Sequence, residues 1–306
     1  MNITDINTTL KNKALQLGFD ACGVARGDVV GEDSSFFNNW LGKNFQGEMG
    51  YMANHVEKRT DPRLLVENTR SVVVVLMNYF PAELQPPDAP QVAKYAYGKD
   101  YHTIIKEKLY ELLNFLQETY PDKNIQGRPF TDSAPVLERY WAKQAGLGWI
   151  GKNTNLIHPQ LGSFCFIGEL LLNVELDYNT PLSDRCGNCS LCIEHCPTAA
   201  LVAPGELDAR KCLSYLTIEQ KGDIPAEYQE KMNNCVFGCD SCQDICPWNR
   251  KAKAHQIADF MPPKDFLTLT SEDWRKINET QFESIFANSA LQRAGYEKIR
   301  KTINIL

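Results

Sequence analysis

Four cysteines spaced as C-x2-C-x2-C-x3-C and followed by proline constrain this chain more than any other feature. They are Cys186, Cys189, Cys192 and Cys196, with Pro197 directly after them. Bacterial two-cluster ferredoxins hold cubane iron–sulfur clusters with this spacing. Part of the run recurs as Cys239, Cys242, Cys246 and Pro247. The sequence therefore predicts two [4Fe–4S] clusters and a role in electron transfer.

The ligands of each cluster follow from the way in which such runs distribute their cysteines between two clusters. A cubane needs four thiolates, and the cysteine before proline binds the other cluster. The predicted ligands of the first cluster are Cys186, Cys189, Cys192 and Cys246. Those of the second are Cys196, Cys239, Cys242 and one further cysteine. Val236 occupies the regular position of that last ligand, so Cys212 or Cys235 replaces it. Cys212 is favoured because Cys235 lies out of step with the run.

Disulfides and zinc are the other common uses of clustered cysteines. The N-terminus has no apolar signal core, and disulfides are rare in the cytosol. A zinc ribbon is also written as C-x2-C pairs, but it explains neither the third cysteine nor the two prolines. Cys22 and Cys165 lie in apolar surroundings and are expected in the core.

A chain of 306 residues accommodates one large domain and smaller ones. We expect a catalytic domain over residues 1–180, a ferredoxin-like domain over 181–250 and a helical C-terminal segment over 251–306. No apolar stretch is long enough to span a bilayer, and the run at 71–80 has the β-branched content of a buried strand. The sequence predicts a soluble, cytoplasmic protein with no membrane partner.

The net charge of −6 argues against nonspecific coating of nucleic acid. A basic cluster is nevertheless present near the C-terminus, formed by Arg293, Lys298, Arg300 and Lys301. Short charge runs of this kind are usually solvated helix faces.

The hydrophobic periodicity indicates an α+β fold. Helices are predicted over residues 2–17, 34–43, 62–68 and 101–119, at the M-G-Y-M segment, and from Pro135 onward. Strands are predicted over 21–25, 71–79, 124–132, 155–159 and 163–174. Shorter helices follow the cysteine block, over 208–219, 271–277, 279–286 and 291–303.

Residues 146–152 read G-L-G-W-I-G-K, which matches the dinucleotide fingerprint G-x-G-x-x-G. That fingerprint follows a strand and opens a helix, whereas a helix precedes Gly146 here. A P-loop needs Ser or Thr after the lysine, and this chain has Asn153. The segment therefore predicts a helix C-cap and a tight loop, whose glycines allow close approach to a large flat ligand.

Asp132 is the candidate acid. Its position between a strand and a helix is compatible with an ordinary N-cap. If Phe130, Trp141 and Trp149 surround the carboxyl instead, desolvation raises its pKa and keeps it protonated near neutral pH. The two roles are evenly balanced on spacing alone. The segment KYAYGKDYH, residues 94–102, supplies a second polar and aromatic cluster.

Several motifs together resemble epoxyqueuosine reductases. They are TDSAPVLER (131–139), AGLGWIGKNT (145–154), YAYGKDYH (95–102), SYLTIE (214–219) and the cysteine block. The resemblance implies a cobalamin-binding, sandwich-like α/β domain fused to a two-[4Fe–4S] ferredoxin module. It also implies the last step of queuosine synthesis, in which the epoxide oxygen is removed from the modified wobble base of tRNA. The family's proton-donating aspartate corresponds to Asp132, and its cluster ligands include Cys212.

The resemblance further implies where the cofactor and the substrate bind. The expected cobalamin contacts are Arg59, Tyr97, Asp132, Gly151, Lys152, Asn153, Ser163, Ser214 and Thr217. The expected phosphate contacts to tRNA are Arg293, Lys298 and Arg300. An external low-potential donor is expected to supply the electrons, and a monomer suits a substrate of this size. Longer members carry C-terminal helical repeats, so this chain resembles the short form.

Two other interpretations fit the same modules. A reductive dehalogenase would use the same cobalt and clusters on an organohalide, although its usual export signal is absent here. A plain electron carrier would need only the cysteine block, and the aromatic-rich N-terminal part would be superfluous.

Overall fold

The computed structural model describes residues 3–306, without the side chains of residues 3, 4 and 32. The strands are, in chain order, β1 Ala21–Arg26, β2 Ser71–Asn78, β3 Gln91–Val92, β4 Gly127–Phe130, β5 Trp149–Ile150, β6 Leu156–Ile157, β7 Cys165–Leu172, β8 Leu201–Ala203, β9 Glu206–Leu207 and β10 Cys235–Phe237. The helices of the N-terminal part are α1 Ile3–Gln16, α2 Glu32–Gly42, α3 Val56–Thr60, α4 Tyr101–Thr119 and α5 Glu138–Gln144.

The remaining helices are short. They are α6 Leu191–Glu194, α7 Leu213–Ile218, α8 Ala226–Gln229, α9 Ser241–Asp244, α10 Lys264–Leu267, α11 Ser271–Lys276, α12 Glu279–Phe286 and α13 Gly295–Ile303. The mixture of sheet and helix confirms the predicted α+β class.

An antiparallel sheet with the order β1-β2-β7-β4 forms the centre of the N-terminal part. Every residue of β2 is buried, as its continuous apolar run predicts. Helices α1 and α4 cover one face, and the apolar residues of α4 at helical spacing fill the core there. Helix α5 covers the other face together with Val136 and Leu147. The sheet thus lies between two helical layers.

The cysteine-rich part is joined to the N-terminal part by direct pairing. Strand β10 lies parallel to β3, and Ala93 donates its N–H to the carbonyl of Phe237 (2.7 Å). Helices α11, α12 and α13 pack on these strands through a separate apolar cluster. Phe260 returns to the core of the central sheet. The expected domain boundaries remain a prediction, and contacts across them are extensive.

The predicted helices and strands are largely confirmed. Asn2, the first residue of the predicted helix 2–17, lies outside the described residues. The predicted helix 62–68 is wrong, because only a 3-10 turn over Pro62–Leu64 forms and Asn68 has a left-handed φ of 62°. The helix expected from Pro135 begins later, at Glu138. No helix in the described part of the chain is long and apolar enough to cross a membrane.

Candidate active site

Asp132 lies two residues beyond the end of β4, with a left-handed φ of 52°. A residue other than glycine rarely adopts this conformation, which costs about 1–3 kcal/mol and occurs mostly where function requires it. Helix α5 begins six residues later, and its N-cap residue is Leu137, without a side-chain cap. The N-cap role considered for Asp132 is therefore wrong.

The beginning of α4 supplies the partners of the Asp132 carboxylate. The hydroxyl of Tyr101 donates to Oδ2 of Asp132 (2.8 Å), and Nε2 of His102 lies 3.2 Å from the same oxygen. The other ring nitrogen of His102, Nδ1, lies 2.6 Å from Oδ1 of Asp100. Asp100 is itself the N-cap of α4, so the helix start fixes the whole group.

These contacts decide where the proton resides. Burial opposes ionisation of Asp132, but hydrogen bonds from His102 and Tyr101 outweigh it and hold the pKa of Asp132 below its ordinary value. Burial also opposes charge on His102, but its bonds to Asp100 and Asp132 raise its pKa to about 9. The expectation of a raised pKa for Asp132 is wrong, because its hydrogen bonds to His102 and Tyr101 lower the pKa, and the raised pKa of His102 favours the proton on the imidazole.

The aromatic surroundings predicted for Asp132 are only partly present. Phe130 and Trp141 belong to the buried cluster under α5. Trp149 lies instead beside the cysteine block, where its Nε1 donates to Sγ of Cys186 (3.4 Å). About half of the Asp132 side chain, 48%, remains accessible. The carboxylate therefore faces an open region, called the recess below, and is not enclosed by an apolar pocket.

Residues distant in sequence form the far side of this recess. The guanidinium of Arg293 bonds Oε1 of Glu219 (2.6 Å) and lies 5.9 Å from the ring centre of Tyr51. Its positive charge also contributes to the low pKa of Asp132. Arg59 donates to the carbonyl of Tyr51 (2.8 Å) and is 7% exposed. Arg293 and Arg59 are thus placed at the same recess.

The other two basic residues predicted to contact phosphates lie along α13. The Nζ of Lys298 donates to the carbonyl of Gln220, and burial lowers its pKa. Arg300 is exposed and donates to the hydroxyl of Tyr296 (3.4 Å). Of the three predicted residues, only Arg293 is close enough to influence Asp132.

The effects of the cysteine thiols on one another's pKa values divide them into the two predicted groups. All eleven thiols are free. Burial, followed by the negative charges of Cys246, Cys186 and Cys189, raises the pKa of Cys192, which places these four together. The pKa of Cys242 is raised by burial and then by Cys212, Cys239, Asp240 and Cys196.

The choice between Cys212 and Cys235 depends on which thiols each of them faces. Beyond the effect of burial, the charge of Cys212 raises the pKa of Cys242, and the charges of Cys239 and Cys196 raise the pKa of Cys212. The hydrogen bond between Cys235 and Cys239, followed by burial, raises the pKa of Cys235, and the charge of Cys212 adds only weakly. The Sγ of Cys235 also lies 3.8 Å from the carbonyl of Asn233. Cys212 therefore lies close to the other three thiols of the second set, whereas Cys235 contacts mainly Cys239.

The glycine-rich loop connects the central sheet to the cysteine block. Helix α5 ends before Gly146, whose φ is 71°, as the sequence predicts. Lys152 donates from Nζ to the carbonyls of Gly187 (2.6 Å) and Cys189 (2.9 Å). Asn153 donates to the carbonyl of Cys242 (3.3 Å). A Cβ at Gly151 would lie 2.5 Å from Ile157, so contacts within the loop explain this glycine.

The other expected cofactor contacts surround the second cysteine motif. The hydroxyl of Thr217 accepts the N–H of Gly238 (2.9 Å), and Ser214 lies one turn earlier on α7. Ser163 donates to Gln243 (2.8 Å) in a buried polar network. A cavity of about 230 Å³ opens beside this motif, lined by Tyr97, Lys94, Gly238, Cys239 and Asp240 among others.

The sequence does not point to two carboxyl groups that lie next to Asp132, the half-buried Glu138 and the fully buried Glu169. Glu138 accepts the backbone N–H of Asp132, and burial followed by the charge of Asp132 raises its pKa to about 8. Glu169 lies in β7 with 0% exposure, and burial followed by Glu138 raises its pKa well above the usual value. A single charged residue within an apolar strand was the signal available for Glu169.

Two family models match separate parts of this chain. Residues 59–133 match the family described as epoxyqueuosine reductase QueG, DUF1730. Residues 185–249 match the 4Fe-4S double cluster binding domain. The second match contains all eight predicted cluster ligands, which are the seven cysteines of the two motifs and Cys212. The predicted pair of clusters is confirmed.

Solved structures share the whole fold. A crystal structure of epoxyqueuosine reductase with an epoxyqueuosine-modified tRNA-Tyr stem loop has a TM-score of 0.89 and 28% identity, covering 99% of this chain and 81% of that one. The epoxyqueuosine reductase of Streptococcus thermophilus has a TM-score of 0.89 and 25% identity, covering 98% of this chain and 80% of that one.

Curated relatives extend over nearly the full chain. The epoxyqueuosine reductase of Cellulophaga algicola is 46% identical over 297 residues, which are 97% of this chain and 96% of that protein. The Escherichia coli epoxyqueuosine reductase is 38% identical over 311 residues, covering 100% of this chain and 81% of that protein. By sequence and by fold, this chain belongs to the epoxyqueuosine reductase family.

Proposed function

We propose that this protein reduces epoxyqueuosine in tRNA to queuosine, with Asp132 as the acid at the reacting oxygen. One observation supports the role of Asp132 above all others. Its carboxylate is held by Tyr101 and His102 in a left-handed backbone conformation, on an open recess beside a two-cluster module. The relatives named above support the substrate.

The reaction consumes two electrons and two protons. Both carbon–oxygen bonds of the epoxide break, a carbon–carbon double bond forms and the oxygen leaves as water. The His102–Asp132 pair supplies a proton to the oxygen as the ring opens, because His102 keeps that proton at neutral pH. Tyr101 holds the shared carboxylate oxygen toward the recess.

The chain's own residues fit the two cofactors that this chemistry requires. Cys186, Cys189, Cys192 and Cys246 would bind one [4Fe–4S] cluster, and Cys196, Cys212, Cys239 and Cys242 the other. Cobalamin, once bound, supplies strongly reducing electrons to the epoxide-bearing ring. Its expected contacts divide between the second cysteine motif, near Tyr97, Ser163, Ser214 and Thr217, and the recess, near Arg59 and Asp132.

The position of Tyr95 supports this placement. Burial raises the pKa of the Tyr95 hydroxyl, and the negative charges of Asp132 and, more weakly, Asp240 raise it further. The same ring therefore lies between the acid and the residue that follows Cys239. A cofactor that takes electrons from the second cluster and serves a substrate at Asp132 would occupy this region.

The substrate and partners follow from the same recess. Arg293 would contact the anticodon loop near the reacting base, and the exposed Arg300 would contact phosphate farther along α13. Lys298 is a weaker candidate because its ammonium already binds the carbonyl of Gln220. We further propose a cytoplasmic monomer that receives electrons from an external low-potential donor.

Anaerobic turnover of epoxyqueuosine-containing tRNA tests this function. The protein, loaded with both clusters and cobalamin, is given a strong reductant, and the nucleosides are then analysed by mass. The wild type should remove one oxygen from the nucleoside. Asp132→Asn, which cannot accept the His102 proton and pass it to the reacting oxygen, should be slower by about 100-fold. Asp122→Asn, at an exposed carboxyl, is the matched control.

The possible outcomes test the proposed reaction and the proposed role of Asp132 separately. Absence of turnover by the fully loaded wild type would overturn the proposed reaction. Turnover by Asp132→Asn at the wild-type rate would leave the reaction in place and remove Asp132 from it.

A further inference from the structure

Glu169 is a carboxyl group in the middle of an apolar layer. Alternate residues of β7 face α5, and Ile167 and Leu171 on that face belong to the buried cluster there. Glu169 lies between them, with Val74 and Phe130 as its neighbours on the adjoining strands. It is 0% exposed. Among residues 3–306, neither of its oxygens meets a hydrogen-bond donor.

The group that Glu169 does face is another carboxyl. Glu138 lies at the first position of α5, within hydrogen-bonding contact of Glu169. Two ionised carboxylates repel each other and offer no donor, so the contact requires a proton on one of them. The raised pKa of both groups is consistent with such a proton. Asp132 and Arg139 are the other charged groups that act on Glu138.

Glu138 connects this pair to the recess. Its Oε1 accepts the backbone N–H of Asp132, the residue with the left-handed φ of 52°. The hydrogen bond therefore holds the backbone in a conformation that is otherwise unfavourable. A proton on Glu169 would allow it to donate to Glu138, and one of the two unpartnered Glu169 oxygens would then have a partner.

The raised pKa of the buried Glu169 carboxyl means that its burial costs stability at neutral pH, which argues against a purely structural role. A carboxyl buried away from cations costs free energy at neutral pH, because the unfolded chain releases its proton to water and the folded chain does not. Sites of this kind occur where function limits stability.

We propose that Glu138 and Glu169 form a protonated carboxyl pair that fixes the backbone of Asp132 and so positions the acid for reaction. This inference rests on the proposed function. The pair neither gains nor loses a proton in turnover, and its members are positioning residues. Substitutions that break the pair should therefore reduce the rate of the chemical step and leave tRNA binding unchanged.

Infrared spectroscopy of the cluster-loaded protein tests the pair without any substrate. The wild type at neutral pH should show a carbonyl band of a protonated, buried carboxylic acid. Glu169→Gln should remove or shift that band, and Glu118→Gln, at an exposed position of α4, should not. A wild-type spectrum without the band, or a band unchanged in both Glu169→Gln and Glu138→Gln, would overturn the proposal.

Turnover tests the positioning role. Glu138→Ala removes the acceptor and should lower kcat by about tenfold with KM unchanged, the effect of one hydrogen bond of about 1.4 kcal/mol. Glu138→Gln keeps an acceptor oxygen and should restore most of the rate. Equal rates for Glu138→Ala and the wild type would overturn the positioning role. If the wild type shows the band but no turnover, the proposed function fails and the positioning role fails with it.

Discussion

The Nε2 atom of His102 lies 3.2 Å from Oδ2 of Asp132, at the N-terminal end of α4. The contact lowers the pKa of the carboxyl and contributes to the raised pKa of His102, so the proton is favoured on the imidazole. In the proposed reaction, this proton passes along the hydrogen bond to the Asp132 carboxylate.

Replacement of His102 should therefore impair proton delivery. His102→Phe is expected to lower the single-turnover rate by about 100-fold at neutral pH. The wild-type rate should fall as the pH rises through about 9, where His102 loses its proton. Rates measured from about pH 6 to about pH 10 would show this limb, and the variant should lack it. His55→Phe, at an exposed histidine, is the control. A wild-type rate that is constant across this range would contradict the assignment.

Glu169→Gln should make the protein more stable. The folded-state pKa of Glu169 is raised, so its burial costs nothing below the unfolded value of about 4.3 and costs more as the pH rises above it. The variant should melt about 2–4 °C higher than the wild type at pH 8 and at nearly the same temperature at pH 4. Melting curves at the two pH values provide the test. A variant that is less stable at pH 8 would show that the carboxyl has an undetected stabilising partner.

Iron content should distinguish Cys212 from Cys235. Cys212→Ala is expected to lose the second cluster, and therefore half of the iron, because Cys212 lies among Cys196, Cys239 and Cys242. Cys235→Ala should retain all of it. Iron analysis and electron paramagnetic resonance of both variants, purified without oxygen, would decide. The reverse pattern would assign the ligand to Cys235.

The indole of Trp149 should tune the first cluster. Its Nε1 donates to Sγ of Cys186 (3.4 Å), and hydrogen bonds to ligand sulfur raise the reduction potential of iron–sulfur clusters. Trp149→Phe should lower the potential by about 40 mV, which corresponds to a hydrogen bond of about 1 kcal/mol. Spectroscopic redox titration would measure the change. Trp40→Phe, whose indole binds the carbonyl of Leu207, is the control. An unchanged potential would mean that the sulfur does not accept this bond.

Arg300 should contribute to tRNA affinity through its charge alone. Arg300→Glu is expected to weaken binding and to reduce the slope of log affinity against log salt by about 1. The rate with saturating tRNA should not change, because Arg300 is exposed and its charge is not among the main causes of the Asp132 pKa shift. Lys123→Glu, on an exposed turn of the N-terminal part, provides the comparison. Binding measured at several salt concentrations would test this, and an unchanged slope would remove Arg300 from the interface.

Local spacing accounts for what the sequence predicted well. The helical period of α4, the apolar run of β2 and the cysteine intervals each depend on neighbours a few residues apart. The partners of Asp132 depend on tertiary structure. The sequence places His102 only within a polar and aromatic cluster, and it gives no sign that Glu138 contacts Asp132.

The pKa of Asp132 also depends on tertiary contacts that sequence spacing does not predict. The sequence indicated aromatic residues near it and hence a raised pKa. In the folded chain the nearest groups are donors and cations, including Arg293 from the C-terminal segment, so the pKa is lowered. No periodicity in the sequence could reveal which of these neighbours would prevail.

The parallel pairing of β3 with β10 has a consequence for how the protein is made. Gln91 and Val92 leave the ribosome long before Cys235 and Phe237 are synthesised, so β3 has no strand to pair with until then. Five of the eight predicted cluster ligands precede β10, and three follow it. A nascent chain therefore cannot complete the pairing of β3 until most of the cysteine-rich part has emerged.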